Sequence, residues 1–209
     1  MNLLGGAYIE QGDAPAAIDV LTRAVAVKPG DATLEANLGA VLTTAKRFGE
    51  AAEHLIRAAA LTPDDVDTLA NLARAQLELG EFSKATATFS YALARAPNHI
   101  GILTDAVRAA MLAGDTDIAR QHAACAIALD VPDGAAQHQL IRVLYEHNLY
   151  TESLTAADAA LVHNNAMASF DDALRHDPDN ADATLWRSFV NLSLGRFSHG
   201  WADYRARQS

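Results

Sequence analysis

Cysteine is almost absent from this chain of 209 residues: Cys125 stands alone, so no disulfide can form within it. A lone thiol fits a reducing compartment, and the cytoplasm is the expected location. Aromatic residues are scarce at 6%, although half of the chain is hydrophobic, and alanine supplies much of the difference. Alanine loses no side-chain entropy in a helix and lets backbones approach, so the composition points to helices packed at close range. Basic charge is also in short supply. A formal charge of −10 argues against nucleic-acid binding, which needs a basic surface to displace counterions. The same acidity keeps an alanine-rich surface in solution. No apolar run reaches the roughly 18 residues of a membrane span, so no membrane insertion is expected. The opening MNLLGGAYIEQG has neither a basic region nor a long apolar core and is not expected to be a signal peptide. It reads as a helix entered partway, with an upstream segment removed.

What the chain does have is a period. Ala17, Ala51, Ala85 and Ala119 recur at a step of 34 residues, and so do Ala24, Ala58, Ala92 and Ala126. Pro29, Pro63 and Pro97 keep the same step. The unit is clearest at 66–99. There Leu69, Leu72, Ala73 and Gln76 fall at helical spacing, Gly80 breaks the run, Ala85, Phe89 and Ala92 mark a second helix, and Pro97 ends it. Two short amphipathic helices bury little alone, so the unit requires stacked copies of itself.

In chain order, a first unit at about 1–31 has a truncated first helix with Leu4, Gly5 and Tyr8 on its packing face. Gly12 and Asp13 turn the chain into a second helix, where Pro15 suits the first turn and Pro29-Gly30 ends the run near Val27. Further units are expected at 32–65, 66–99, 100–133 and 134–165, the last two with a weaker pattern. An irregular extra helix occupies 166–180, where Ala166, Phe170, Ala173 and Pro178 repeat the second-helix signature with no first helix before them. Three arrangements accommodate it: a third helix in an enlarged unit, a continuation of the preceding helix through Asn164-Asn165, or a unit that has lost its first helix. A last unit at 181–209 carries Trp186 and Phe189, then Gly195 and GWADYRAR.

Leu38-Gly39, Ala51, Leu55, Ala58 and Pro63, with their equivalents one unit away, resemble the tetratricopeptide repeat (TPR) pattern. The resemblance implies an all-α, right-handed superhelical solenoid of antiparallel helix pairs, a single array over 1–209 whose first helices line a concave groove. It also implies a non-catalytic scaffold that binds another protein. The ending LGRFSHGWADYRAR looks like the closing unit of bacterial TPR proteins that carry a glycosyltransferase-like domain, with Gly200, Trp201, Tyr204 and Arg207 bearing the likeness. On that reading the chain would be the substrate-recruiting arm of a larger enzyme; otherwise Trp201 and Tyr204 cap the stack. A third reading is end-to-end self-association.

Two rows follow the period along the expected first helices. Asn37, Asn71, Asp105 and Gln139 form a polar row, and in resembling arrays asparagines at this place hold the main chain of an extended peptide. An amide can do so because it offers a donor and an acceptor together. The other reading gives these groups bonds to a neighbouring helix or to water. Arg74, Arg108 and Arg142 form the second row and point to an anionic segment or a chain carboxylate as ligand. The competing reading is local pairing, with Glu78 and Glu146 four residues beyond Arg74 and Arg142, and Asp105 three before Arg108. His138, Tyr145 and Met111 are expected on the same face, as pockets or as filling between helices.

Signals for catalysis are poor: no phosphate-cradling glycine loop, no HExxH and no nucleophile motif. No cofactor or metal is called for. His122 and Cys125 share a helix face, but two ligands are too few for zinc, and the thiol is expected to be buried and inert. Asp64-Asp65 and Asp171-Asp172 are expected to favour helix N-termini through the dipole.

Overall fold

The coordinates are those of a computed structural model, which describes residues 13–129, 134–149 and 181–193, together with 152–153, 155–156, 170–171, 174–175, 199 and 202. All ordered elements among these residues are α-helices, as expected for the all-α repeat fold. They are α1 (Ala14–Val27), α2 (Ala32–Thr44), α3 (Phe48–Leu61), α4 (Val66–Glu78), α5 (Phe82–Leu93), α6 (Ile100–Ala113), α7 (Thr116–Ala128), α8 (Gly134–Glu146) and α9 (Ala181–Ser193). The chain divides into two compact units, Met1–Gly114 and Asp115–Ser209, so the division falls at the turn within the fourth expected repeat.

In the first compact unit each helix packs on the next, from α1 through α6. The first helices also touch one another, α2 against α4 and α4 against α6, so they lie side by side. In the second, α7 packs on α8. The small residues of the period sit where helices meet: Ala17, Ala51, Ala58, Ala85, Ala92 and Ala119 are completely buried. Leu21, Leu55 and Phe89 fill the space beside them. Gly39 marks the tightest approach. A Cβ placed there would lie 2.5 Å from Leu55 Cγ and 2.8 Å from its Cδ2, closer than any carbon pair tolerates.

The turn joining the two helices of a repeat follows the same period in its backbone. Lys46, Gly80, Gly114 and Asn148 stand 34 residues apart, and all four have positive φ, at 60°, 77°, 83° and 62°. Glycine takes this conformation without cost and asparagine tolerates it, whereas Lys46 holds it as an ordinary side chain. The left-handed residue, rather than glycine itself, is therefore what the repeat requires.

Helix starts are capped unevenly. Asp13 accepts from the Ala16 N–H, and Asp31 accepts from those of Thr33 and Leu34. A hydrogen bond from the Lys28 ammonium, with the N–H of Leu34, holds the Asp31 carboxyl below the usual carboxylate range. The aspartate pair stands at the start of α4, as expected, with Asp65 at the N-cap. Its carboxylate takes no bond from a helix N–H and instead accepts from the hydroxyl of Thr68 in the first turn. Asp64 pairs with Arg95, whose guanidinium also stacks 3.5 Å over the Tyr91 ring. Cys125 is exposed, contrary to expectation, because Ala119, Ala123 and Ala126 occupy the buried face of α7 and turn the thiol away. The expected truncated helix before Gly12 lies outside the described residues, as does most of 166–180, although Phe170 is completely buried.

Candidate functional site

The two asparagines of the polar row come together. Asn37 on α2 and Asn71 on α4 line one cavity of about 390 Å³, whose wall also includes Thr33, Thr62, Thr68, Asp65 and Asp67. The starts of both helices form one end of the wall, with Ala32, Ala36 and Ala40 along the α2 side. Small side chains on α2 keep the cavity open, and the polar atoms around it come from amides, hydroxyls and two carboxylates. Such a wall offers both hydrogen-bond donors and acceptors to whatever enters it.

Asp105, next in the row, is not in this wall. Its carboxylate accepts from Arg74 Nε at 2.7 Å, across the gap between α4 and α6. Arg74 Nη1 reaches back along its own helix to Asn71 Oδ1 at 3.3 Å. Arg108 Nη2 crosses the same gap the other way, to Glu78 Oε1 at 3.0 Å. The local partners expected for these two arginines are thus exchanged: Arg74 takes Asp105 rather than Glu78, and Arg108 takes Glu78 rather than Asp105. The reason is geometric. A long side chain standing between adjacent helices reaches an acid one turn away on the neighbour as easily as one on its own helix. The exchange leaves Arg108 Nε buried without a hydrogen-bond partner, which holds for no other side-chain nitrogen or oxygen among the described residues. Two crossed ion pairs therefore bridge α4 and α6, and each arginine already has an acid beside it.

In the other compact unit, α8 exposes Gln139 and Arg142, and Arg142 lies 3.8 Å from Glu146, the local pair expected. The side chains of His138 and Tyr145 lie outside the described residues, as do Gly200, Trp201, Tyr204 and Arg207. Met111 is half-buried on α6.

One polar cluster had no signal in the period. Glu35, buried on α2, sits 2.6 Å from His54 Nδ1 and 3.3 Å from Arg57 Nε, both on α3, and Arg57 Nη2 lies 2.8 Å from the same His54 nitrogen. The cluster ties the two helices of one repeat together. A glutamate at helical spacing with Leu38 and Leu42, by which α2 faces its partner, was the sequence cue available. Among the described residues no group of three or more His, Cys, Asp or Glu side chains could hold a metal ion, and no helix is long and apolar enough to cross a membrane.

Comparison with known proteins agrees with this architecture. Two tetratricopeptide-repeat family profiles match, one over residues 2–66 and one over residues 42–98. No curated protein matches the chain. Among solved structures, pilF of Pseudomonas aeruginosa is similar with a TM-score of 0.70 at 16% identity, covering 97% of this chain and 86% of its own. MamA is similar with a TM-score of 0.66 at 17% identity, over 79% of this chain and 96% of its own. YrrB, described as a TPR protein with an unusual peptide-binding site, gives 0.57 at 15% identity and 90% coverage of each chain. At these identities the likeness is one of fold. None of these comparisons involves a glycosyltransferase-like ending.

Proposed function

We propose that the tetratricopeptide repeats of this chain hold an extended peptide segment of a protein partner on the face where α2 and α4 lie side by side, and that they do so without catalysing a reaction. The observation that carries this reading is the pairing of Asn37 and Asn71 on one open cavity. Two amides on successive first helices offer donors and acceptors along one cavity, which is what an extended main chain requires of its binding surface. YrrB, a TPR protein with an unusual peptide-binding site, supports a peptide as the kind of ligand this fold can hold.

Ligand charge plays a smaller part in this reading than the arginine row alone would give it. An anionic segment would have to displace Asp105 from Arg74 and Glu78 from Arg108, and Asp65 and Asp67 would repel it at the cavity. Recognition is therefore assigned to the peptide main chain. The test uses a dodecapeptide selected from a phage-displayed random library against the purified chain. Asn37→Ala and Asn71→Ala should each weaken it about two- to tenfold, the worth of one or two hydrogen bonds. Unchanged affinity in both variants would refute the reading. Arg108→Ala should leave affinity within about twofold, since an ion pair this exposed contributes little; a large loss there would return the anionic ligand to first place.

A further inference from the structure

Asn71 faces the cavity, and its orientation is set from behind. A guanidinium N–H only donates, so the amide atom that meets Arg74 Nη1 at 3.3 Å has to be the oxygen. Arg74 is in turn held by Asp105, whose mostly buried carboxylate accepts from its Nε at 2.7 Å. Neither Arg74 nor Asp105 belongs to the wall of the cavity, whereas Asn71 does. Asp105, Arg74 and Asn71 thus form a hydrogen-bonded chain that starts on α6, crosses to α4 and ends at the cavity.

We propose that Arg74 and Asp105 are positioning residues, which lock the amide of Asn71 so that its Nδ2 presents N–H donors to a main-chain carbonyl of the bound peptide. The inference rests on the peptide reading above and deepens it. An amide free to flip would present its oxygen for part of the time, and a carbonyl ligand would meet the competent orientation only in the remainder. For two equally populated orientations that costs about twofold in affinity. The cation on Oδ1 also polarises the amide and makes its N–H groups stronger donors, which raises the expected factor to about fivefold.

The selected dodecapeptide serves as probe in a double-mutant cycle. Arg74→Ala should weaken binding about two- to fivefold in the otherwise wild-type chain and add nothing in an Asn71→Ala background. Asp105→Asn, which keeps an acceptor but loses the charge, should give a smaller loss of the same kind. Arg74→Lys supplies a second variant that keeps the charge but has no second nitrogen for Asn71. In the free protein, the heteronuclear NOE of the Asn71 side-chain amide should fall in both Arg74 variants, while the thermal transition shows that each is folded. If the Arg74→Ala loss persisted undiminished in the Asn71→Ala background, Arg74 would be touching the ligand itself and the inference would be overturned. An unchanged NOE would overturn it equally. Failure of the peptide reading has a different signature: Asn37→Ala and Asn71→Ala would both bind like wild type, while the NOE would still report whether Arg74 orders the amide.

Discussion

Adding one methyl group at Gly39 sets two effects of known size against each other. Inside a helix, alanine is favoured over glycine by about 0.8–1 kcal/mol, so on an exposed face Gly39→Ala would stabilise α2. Here the new Cβ would sit 2.5 Å from Leu55 Cγ, 2.8 Å from Cδ2 and 3.3 Å from the Ala51 carbonyl oxygen. Leu55 is completely buried and the carbonyl belongs to α3, so neither has free space to enter. Overpacking of this kind costs about 1–3 kcal/mol, and occasionally more. The clash therefore offsets or outweighs the propensity gain, and a net loss of up to about 2 kcal/mol is expected. Urea unfolding followed by far-UV circular dichroism should show a midpoint lower by roughly 0.5 M at an unchanged slope. The decisive measurement repeats the substitution in a Leu55→Ala background. That change removes the two carbons that collide, and Gly39→Ala should then stabilise the chain by up to about 1 kcal/mol. A reversal of sign between the two backgrounds is a signature that propensity alone cannot produce. If Gly39→Ala had the same effect in both, the close approach of α2 and α3 at this point would be wrong.

Other consequences of the packing and charge are simpler to read. Ala85→Leu enlarges a completely buried side chain between two helices and should lower the melting temperature, corresponding to a loss of about 1–3 kcal/mol; an unchanged transition would count against the assigned packing. Lys46→Gly relieves a left-handed backbone at the turn between α2 and α3 and should stabilise the chain by about 1 kcal/mol, seen as a higher urea midpoint. Burial pushes the pKa of His122 below the ordinary histidine value, so the folded state disfavours its protonated form. Its contribution to stability is then fully present above the unfolded value of about 6.5 and is lost as pH falls from there toward the folded value. Melting temperatures taken from pH 8 to pH 5 should decline less steeply for His122→Gln than for the parent chain.

Much of the fold was legible because the repeat constrains several kinds of residue at once. Buried alanines, the close contact at Gly39 and the ends of α1 and α3 all follow from positions one period apart. The turn was only half legible. Gly80 and Gly114 announce a left-handed residue, but Lys46 and Asn148 fill the equivalent place without glycine. A search for glycine misses what a search for the period finds. Cys125 was misplaced because a small apolar residue type says little about which side of an alanine-rich helix is buried. Only the alternation of Ala119, Ala123 and Ala126 decides it.

The site divides along the same line. A step of 34 residues identifies side chains that face the same way, and it brought Asn37 and Asn71 to one cavity. It does not identify side chains that touch. Contacts between neighbouring first helices join residues one helical turn short of the period: Arg74 and Asp105 are 31 apart, and Glu78 and Arg108 are 30 apart. Asp64 and Arg95, which link the end of one repeat to the end of the next, are again 31 apart. Opposite charges at 30 or 31 residues were therefore the signal for pairing, while like residues at 34 were the signal for a shared face. Arg74 satisfies both conditions, with Arg108 at 34 and Asp105 at 31. For such a residue the oppositely charged neighbour takes precedence, because it is present in every folded molecule, whereas a ligand must compete for the same guanidinium. A row of like charges in a helical repeat should accordingly be read as a binding surface only after acids one turn short of the period have been sought and found missing.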